Sequence, residues 1–180
     1  MLAGVIRAPR VVLRPFRSGD VDDVLAYASD PDWYLYSAQL RDSYSRSDAV
    51  AFVAAQMAFD PDELVSFAID YQGQVCGSIR LHWLFERRVV ELGFGVARRL
   101  WGQGLAAEAC RALITASFQT FPELVRVRAR CDARNTQSIR VLSKLGMTRE
   151  AFLRSDRLVR GELVDDVIYG LLRREWIDPK

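Results

Sequence analysis

Arg99, Gly102 and Gly104 stand in the spacing Arg-x-x-Gly-x-Gly within the stretch Arg98-Arg99-Leu100-Trp101-Gly102-Gln103-Gly104-Leu105-Ala106. A strand-like run, Val89 to Val96, precedes this stretch, and a helix-like run, Leu105 to Phe118, follows it. A strand, a glycine-bearing loop and a helix start make an anion site. The first N–H groups of a helix have no partner inside it. Glycines let the loop curl so that its own N–H groups point inward, and a pyrophosphate there also meets the positive end of the helix dipole. The pattern is neither the dinucleotide fingerprint nor the P-loop, because no Gly-x-Gly-x-x-Gly and no Gly-Lys-Ser/Thr follows. Two glycines before a helix are also ordinary loop punctuation, so the context must decide.

Few other residues offer reactive chemistry. His82 is the single histidine. It reads as a partly buried structural residue, with proton transfer or substrate contact as the alternative. Cys76, Cys110 and Cys131 are odd in number and widely spaced. They fit neither a disulfide framework nor a zinc site, and none sits in an activating motif. No metal is expected. The net charge of +2 is too small to argue for nucleic acid or an anionic membrane. No apolar run reaches the roughly 18 residues of a membrane span, and Arg7, Arg10 and Arg14 interrupt any signal-peptide core. A cytoplasmic location with reduced thiols is expected.

The elements that must carry these residues follow from periodicity. Arg10 to Phe16 reads as a strand, and Ser18-Gly-Asp20 caps a helix that ends at Asp30-Pro31. The segment from Asp32 to Arg46 is aromatic, polar and long for a connector. Ser47 is expected to cap a second helix, stopped by Asp60-Pro61. Leu64–Tyr71, Gln74–Trp83 and Arg87–Val96 read as a meander. Val125–Cys131 alternates as a strand, and Asn135–Leu145 is a helix stopped by Gly146. Met147–Leu158 and Leu163–Leu172 close the chain as a hairpin. The order β-α-α-β-β-β-α-β-α-β-β predicts one α/β (mixed α+β) domain over residues 1–180. Its twisted mixed sheet would have about seven strands, with about four helices on its faces.

Four motifs in this order resemble the GNAT superfamily of N-acetyltransferases, and more narrowly its RimJ/RimL-like branch. They are Leu13-Arg-Pro-Phe16 with Asp20; Arg99-x-x-Gly102-x-Gly104-Leu-Ala-Ala-Glu108; Asn135-x-x-Ser138-x-Arg-Val-Leu-x-Lys144-Leu-Gly-Met147; and Gly161-Glu, then Asp165 to Leu172, with Glu175-Trp176. The resemblance implies a GNAT fold with acetyl-CoA as cosubstrate and no metal. The acceptor would be a primary amine, either a protein N-terminal α-amine or a small-molecule amine, and homodimers are common among relatives of this size. It further implies that the backbone of Phe94, Gly95 and Val96 holds the pantetheine and the developing oxyanion. Arg99, Leu100, Trp101, Gly102, Gln103, Gly104, Leu105 and Ala106 would hold the pyrophosphate. Asn135 would bond the pantetheine arm, a role compatible with capping the following helix. Glu108 reads as structural, an acid in the first turn of a helix.

The same resemblance frames the proton route. A lysine-like amine, with pKa near ~10.4, is neutral about one time in a thousand at pH 7, and an α-amine, at about 7.7–8.0, about a tenth of the time. A base therefore matters more for the first. Glu91 is the candidate: alternation puts Glu91, Gly93 and Gly95 on one strand face, where the glycines would leave room for a ligand. Many superfamily members carry a tyrosine seven residues after the asparagine to protonate the leaving sulfur. Leu142 occupies that position here, and Ser138 is the replacement that the branch suggests. Trp33, Tyr34, Tyr36, Tyr44, Trp83 and Phe85 fall in segments that rim the acceptor cleft in the family. Arg87 and Arg88 are candidate contacts for an acidic acceptor. The competing reading is a non-catalytic acyl-CoA-binding or regulatory module of the same fold, which Leu142 favours and Glu91 and Ser138 oppose.

Overall fold

Apolar side chains at every second position bury one face of the sheet over Val89–Val96 and Arg126–Asp132, while Leu64–Tyr71 is buried on both faces at Phe67, Ala68 and Ile69. The computed structural model describes residues 2, 4–33, 35–36, 43–60 and 62–176. Eight strands are found among them: β1 (Ile6–Arg7), β2 (Val11–Arg14), β3 (Leu64–Tyr71), β4 (Gln74–Leu84), β5 (Val89–Val96), β6 (Arg126–Asp132), β7 (Thr148–Val159) and β8 (Glu162–Leu172). They form one sheet in the order β1-β2-β3-β4-β5-β6-β8-β7. Four α-helices accompany it: α1 (Val21–Ala28), α2 (Arg46–Ala58), α3 (Leu105–Thr120) and α4 (Thr136–Lys144). The strand absent from the sequence reading is β1, whose two residues are too short to show a period. The cap of α2 also differs from expectation. Ser45, not Ser47, accepts the Asp48 N–H at 3.3 Å, and the Asp48 carboxylate returns to the Ser45 N–H at 2.8 Å. This reciprocal pair satisfies two end groups, which starts the helix two residues earlier.

One face of the sheet is apolar. Leu81, Leu92, Ala129 and Tyr169 are successive cross-strand partners and all are buried. Leu105, Ala109, Leu113 and Ile114 of α3 are buried with them in the same core cluster. A fully buried leucine of this kind contributes roughly 1.5–3 kcal/mol.

The opposite face is polar over β6–β8. Arg126, Arg128 and Arg130 alternate along β6, and each meets an acid: Glu150, Glu91 and the pair Asp156/Asp166. Asp166 is fully buried and also accepts from Arg157, so one carboxylate ties β6, β8 and β7 together. Burial by itself raises its pKa, but the hydrogen bonds from Arg157 and Arg130 outweigh it and hold the carboxyl below its ordinary range. A depressed native pKa contributes stability above the ordinary carboxylate range, and that stability is lost as pH falls through the native value. Asp166→Asn is expected to lower stability at pH 7 and to flatten the acid side of a urea-midpoint profile between pH 7 and 3. An unchanged acid limb would assign acid sensitivity to other buried carboxyls.

All neighbouring strands are antiparallel except β5 and β6, the parallel pair joined through α3. Their pairing runs only from Val89↔Arg126 to Leu92↔Ala129. Beyond it, β5 stays with β4 as far as Gly77↔Val96, while β6 stays with β8 as far as Asp132↔Asp166. Two strands held by different neighbours part, and the opening between them is the centre of the site.

Candidate functional site

A cleft of about 1140 Å³ passes through this opening. Its backbone edge follows from strand parity. The Ala97 N–H donates to Cys76 O at 2.7 Å. Odd-numbered residues of β5 therefore turn their backbone groups to β4, and even-numbered ones turn theirs toward β6. With β6 gone beyond Leu92, the N–H groups of Phe94 and Val96 and the carbonyl of Phe94 face the cleft. The Val96 carbonyl is already taken by the Trp101 indole N–H at 2.7 Å. Trp101 thereby pins the loop to the strand end, a role that sequence reading assigned to no residue.

The loop does what its glycines allow. Gly102 and Gly104 adopt φ of +77° and +82°, the left-handed region that favours glycine. Gly104 is the N-cap of α3, and the first intrahelical bond runs from the Glu108 N–H to Gly104 O. The N–H groups of Leu105, Ala106 and Ala107 precede it and have no helical acceptor, and all three residues line the cleft. Glu108 is structural, as expected. Its carboxylate accepts from the Arg10 N–H (2.6 Å), the Arg10 Nε–H (2.7 Å) and the Val11 N–H (3.3 Å), tying the first turn of α3 to β2.

The cleft wall includes Phe94, Gly95, Val96, Leu100, Trp101, Gly102, Gly104, Leu105, Ala106, Asn135 and Ser138. Arg99 and Gln103 are exposed and lie outside it. The Gln103 carbonyl instead accepts from Arg10, and its side chain donates to Arg99 O. Two further cations on the cleft wall come from α4. Arg140 and Lys144, one turn apart and exposed, have no acidic partner among the described residues.

Asn135 is the N-cap of α4. Its Oδ1 accepts the Ser138 N–H at 3.0 Å, which leaves its amide NH₂ free to donate. The Ser138 hydroxyl lines the cleft with no partner among the described residues. Leu142, seven residues after Asn135, is 1% exposed and packs in the core. The half-buried Cys131 also lines the cleft, but burial pushes its thiol up to about 11, far from a thiolate at neutral pH.

Glu91 is placed differently from expectation. It shares a face with Gly93 and Gly95 but lies outside the cleft wall, half-exposed, with Arg128 Nε and Nη2 at 2.9 and 2.8 Å from its Oε2. The space beside the glycines is filled by protein. A Cβ on Gly93 would come within 2.9 Å of Arg80 Nε, and one on Gly95 within 3.1 Å of Trp33. The glycines make room for these two side chains, which themselves line the cleft. Strand alternation shows a face; the neighbouring strand and an intervening loop decide what covers it. His82, directly opposite Glu91, is exposed and not partly buried, and it lines a shallow surface depression with Asp62 and Glu63.

Of the aromatic residues expected at the acceptor rim, Trp33, Tyr36 and Tyr44 line the cleft. Tyr34 lies outside the described residues. Trp83 is instead core, packed edge-on against Phe121, and Phe85 is 73% exposed on a distant turn. Arg87 pairs with Asp62 on that turn, and neither Arg87 nor Arg88 reaches the cleft. Among the described residues no cluster of three His, Cys, Asp or Glu side chains suits a metal, and no helix is long and apolar enough to cross a membrane.

Similarity to known proteins agrees with this geometry. A family model described as an acetyltransferase (GNAT) domain matches residues 10–148. An uncharacterized N-acetyltransferase, p20 of Bacillus licheniformis, is 28% identical over 170 residues, covering 93% of this chain and 95% of that protein. The crystal structure of a GNAT-family acetyltransferase from Bacillus anthracis superposes with a TM-score of 0.85 at 28% identity, covering 95% of this chain and 99% of that one. RimL, the ribosomal L7/L12 α-N-protein acetyltransferase solved with coenzyme A, shares the fold with a TM-score of 0.84 at 16% identity, covering 95% of this chain and 99% of its own. A helix-terminus anion site opening onto the free backbone edge of a parted strand pair, carried by a chain that matches this family over most of its length, has one reading: the protein belongs to the GNAT family of N-acetyltransferases.

Proposed function

We propose that this N-acetyltransferase moves the acetyl group directly to a primary amine, either a protein N-terminal α-amine or a small-molecule amine. The carrying observation is the pair of free N–H groups on Phe94 and Val96 just beyond the point where β5 and β6 part, facing the cleft that the first turn of α3 also lines. Acetyl-CoA supplies a thioester whose carbonyl carbon gains the amine nitrogen as its C–S bond breaks. The N–H groups of Gly102 and of residues 104–107 suit the diphosphate, and Arg140 and Lys144 add positive charge to the same cleft. The Asn135 amide and the Phe94 carbonyl are free to bond an amide-bearing arm. The Phe94 and Val96 N–H groups suit the oxyanion, fixed before reaction by the sheet.

The amine must lose a proton and the leaving sulfur must gain one. Glu91 takes the first through water, because it lies outside the cleft wall and Arg128 holds it. Ser138 donates a hydrogen bond to the sulfur as it leaves as a thiolate, and the thiolate takes its proton from water. Glu91→Gln is expected to lower turnover several-fold, more for a lysine-like amine than for an α-amine, and Ser138→Ala to lower turnover more than acetyl-CoA affinity. Wild-type pH–rate profiles in both variants would remove these two roles.

Leu142 favours a second reading, a non-catalytic acyl-CoA-binding module, since the usual hydroxyl is absent. Thiol release from acetyl-CoA over a panel of peptides, polyamines, amino sugars and aminoglycosides separates the two. Release with any acceptor supports transfer; binding of acetyl-CoA without release for every member supports the module.

A further inference from the structure

We propose that Arg80 selects acceptors bearing an anionic group, a carboxylate or a phosphate, close to the reacting amine. The inference rests on the transferase reading above and adds the class of acceptor to it. Arg80 lies on β4 directly opposite Gly93. Its side chain runs across that glycine, with Nε 2.9 Å and Cγ 3.3 Å from where a Cβ would stand. It is exposed to the cleft, next to Ser66 on one side and the strand opening on the other.

Its charge is the unusual feature. Arg98, Arg130 and Arg157 on the cleft wall, and Arg126 and Arg128 on β6, each pair with a carboxylate. Arg80 has no acidic partner among the described residues, although it lines the site itself. A free guanidinium presents a planar fork of donors that matches a carboxylate or a phosphate with two parallel bonds. Trp33, packed over Gly95 at the next position on the same strand face, keeps part of its surroundings apolar, which strengthens such a contact. Gly93 stands one to three residues from the Phe94 and Val96 N–H groups, roughly 3–10 Å along the strand, so an anion held by Arg80 and the reacting amine fit within one small acceptor.

Matched amines that differ only in charge test this. The carboxylate arm uses peptides beginning Ser-Asp and Ser-Asn, and phenylalanine with phenylalaninamide. The phosphate arm uses O-phosphoethanolamine and ethanolamine. Wild type is expected to favour one anionic class by ten- to hundredfold in kcat/KM, the range for a charge-assisted bond. Arg80→Ala should abolish the preference through KM, with Arg80→Lys restoring part of it and the KM for acetyl-CoA unchanged. Equal use of charged and neutral members by wild type, or an unchanged ratio in Arg80→Ala, overturns the proposal, as does a loss confined to acetyl-CoA affinity. Calorimetric binding of the same pairs, with and without CoA, reads the site independently of turnover. Tighter binding of the anionic members that Arg80→Ala abolishes supports the assignment even if no amine is acetylated, a result that would count against the transferase reading alone. Equal binding of both members overturns it.

Discussion

Ala106→Glu is expected to weaken acetyl-CoA binding by about 100-fold while leaving the fold at least as stable. Ala106 is the second residue of α3 and lines the cleft, and its N–H has no helical acceptor. A carboxylate there lies beside the diphosphate that the loop and helix terminus suit. At ~5 Å and an effective dielectric of about 20, two unit charges repel by roughly 3 kcal/mol, and screening at the open mouth leaves about 100-fold in affinity. The same carboxylate interacts favourably with the helix dipole, by about 0.3–1 kcal/mol. Titration calorimetry should therefore show the loss, while the urea midpoint holds or rises. Undiminished affinity would remove the diphosphate from the α3 terminus.

Gly77→Ala should damage fold and site together. An added Cβ would lie 2.1 Å from Gly95 O and 2.9 Å from Val96 Cα. Both obstacles are backbone and neither can rotate aside. Relief requires β4 and β5 to separate at the segment that presents the Phe94 and Val96 N–H groups. A clash with two backbone atoms puts the cost at the upper end of overpacking, about 3 kcal/mol, roughly a 10 °C fall in Tm for a chain of this length. Gly19→Ala is the control, since a Cβ there meets nothing within 4 Å. Folded Gly77→Ala protein is expected to have lost most of its turnover. A variant with normal Tm and rate would mean that the β4–β5 contact yields more easily than its geometry implies.

Parts of this protein are legible from local sequence because the physics behind them is local. Alternation along β3 to β6 and helical spacing along α3 and α4 place the elements nearly to the residue. The left-handed turns at Gly102 and Gly104 follow from glycine itself, and the cap at Asn135 from a side chain that reaches only three residues on. Even the α2 cap, misassigned by two positions, lay within a run of three serines and arginines around Ser45 where several starts compete.

What the tertiary structure alone decided is which distant residues share a face. Alternation put Glu91, Gly93 and Gly95 on one side of β5, but the register with β4 laid Arg80 across Gly93, and the segment after α1 brought Trp33 over Gly95. The pairing of Glu91 with Arg128 depends on a parallel register set through α3. The site itself exists because β5 and β6 keep their antiparallel partners and part from each other. Periodicity along a chain reports the burial of each segment, and it carries no term for the register between segments. Register is chosen by packing and hydrogen bonding across the whole sheet, so the residues were readable in advance and their partners were not.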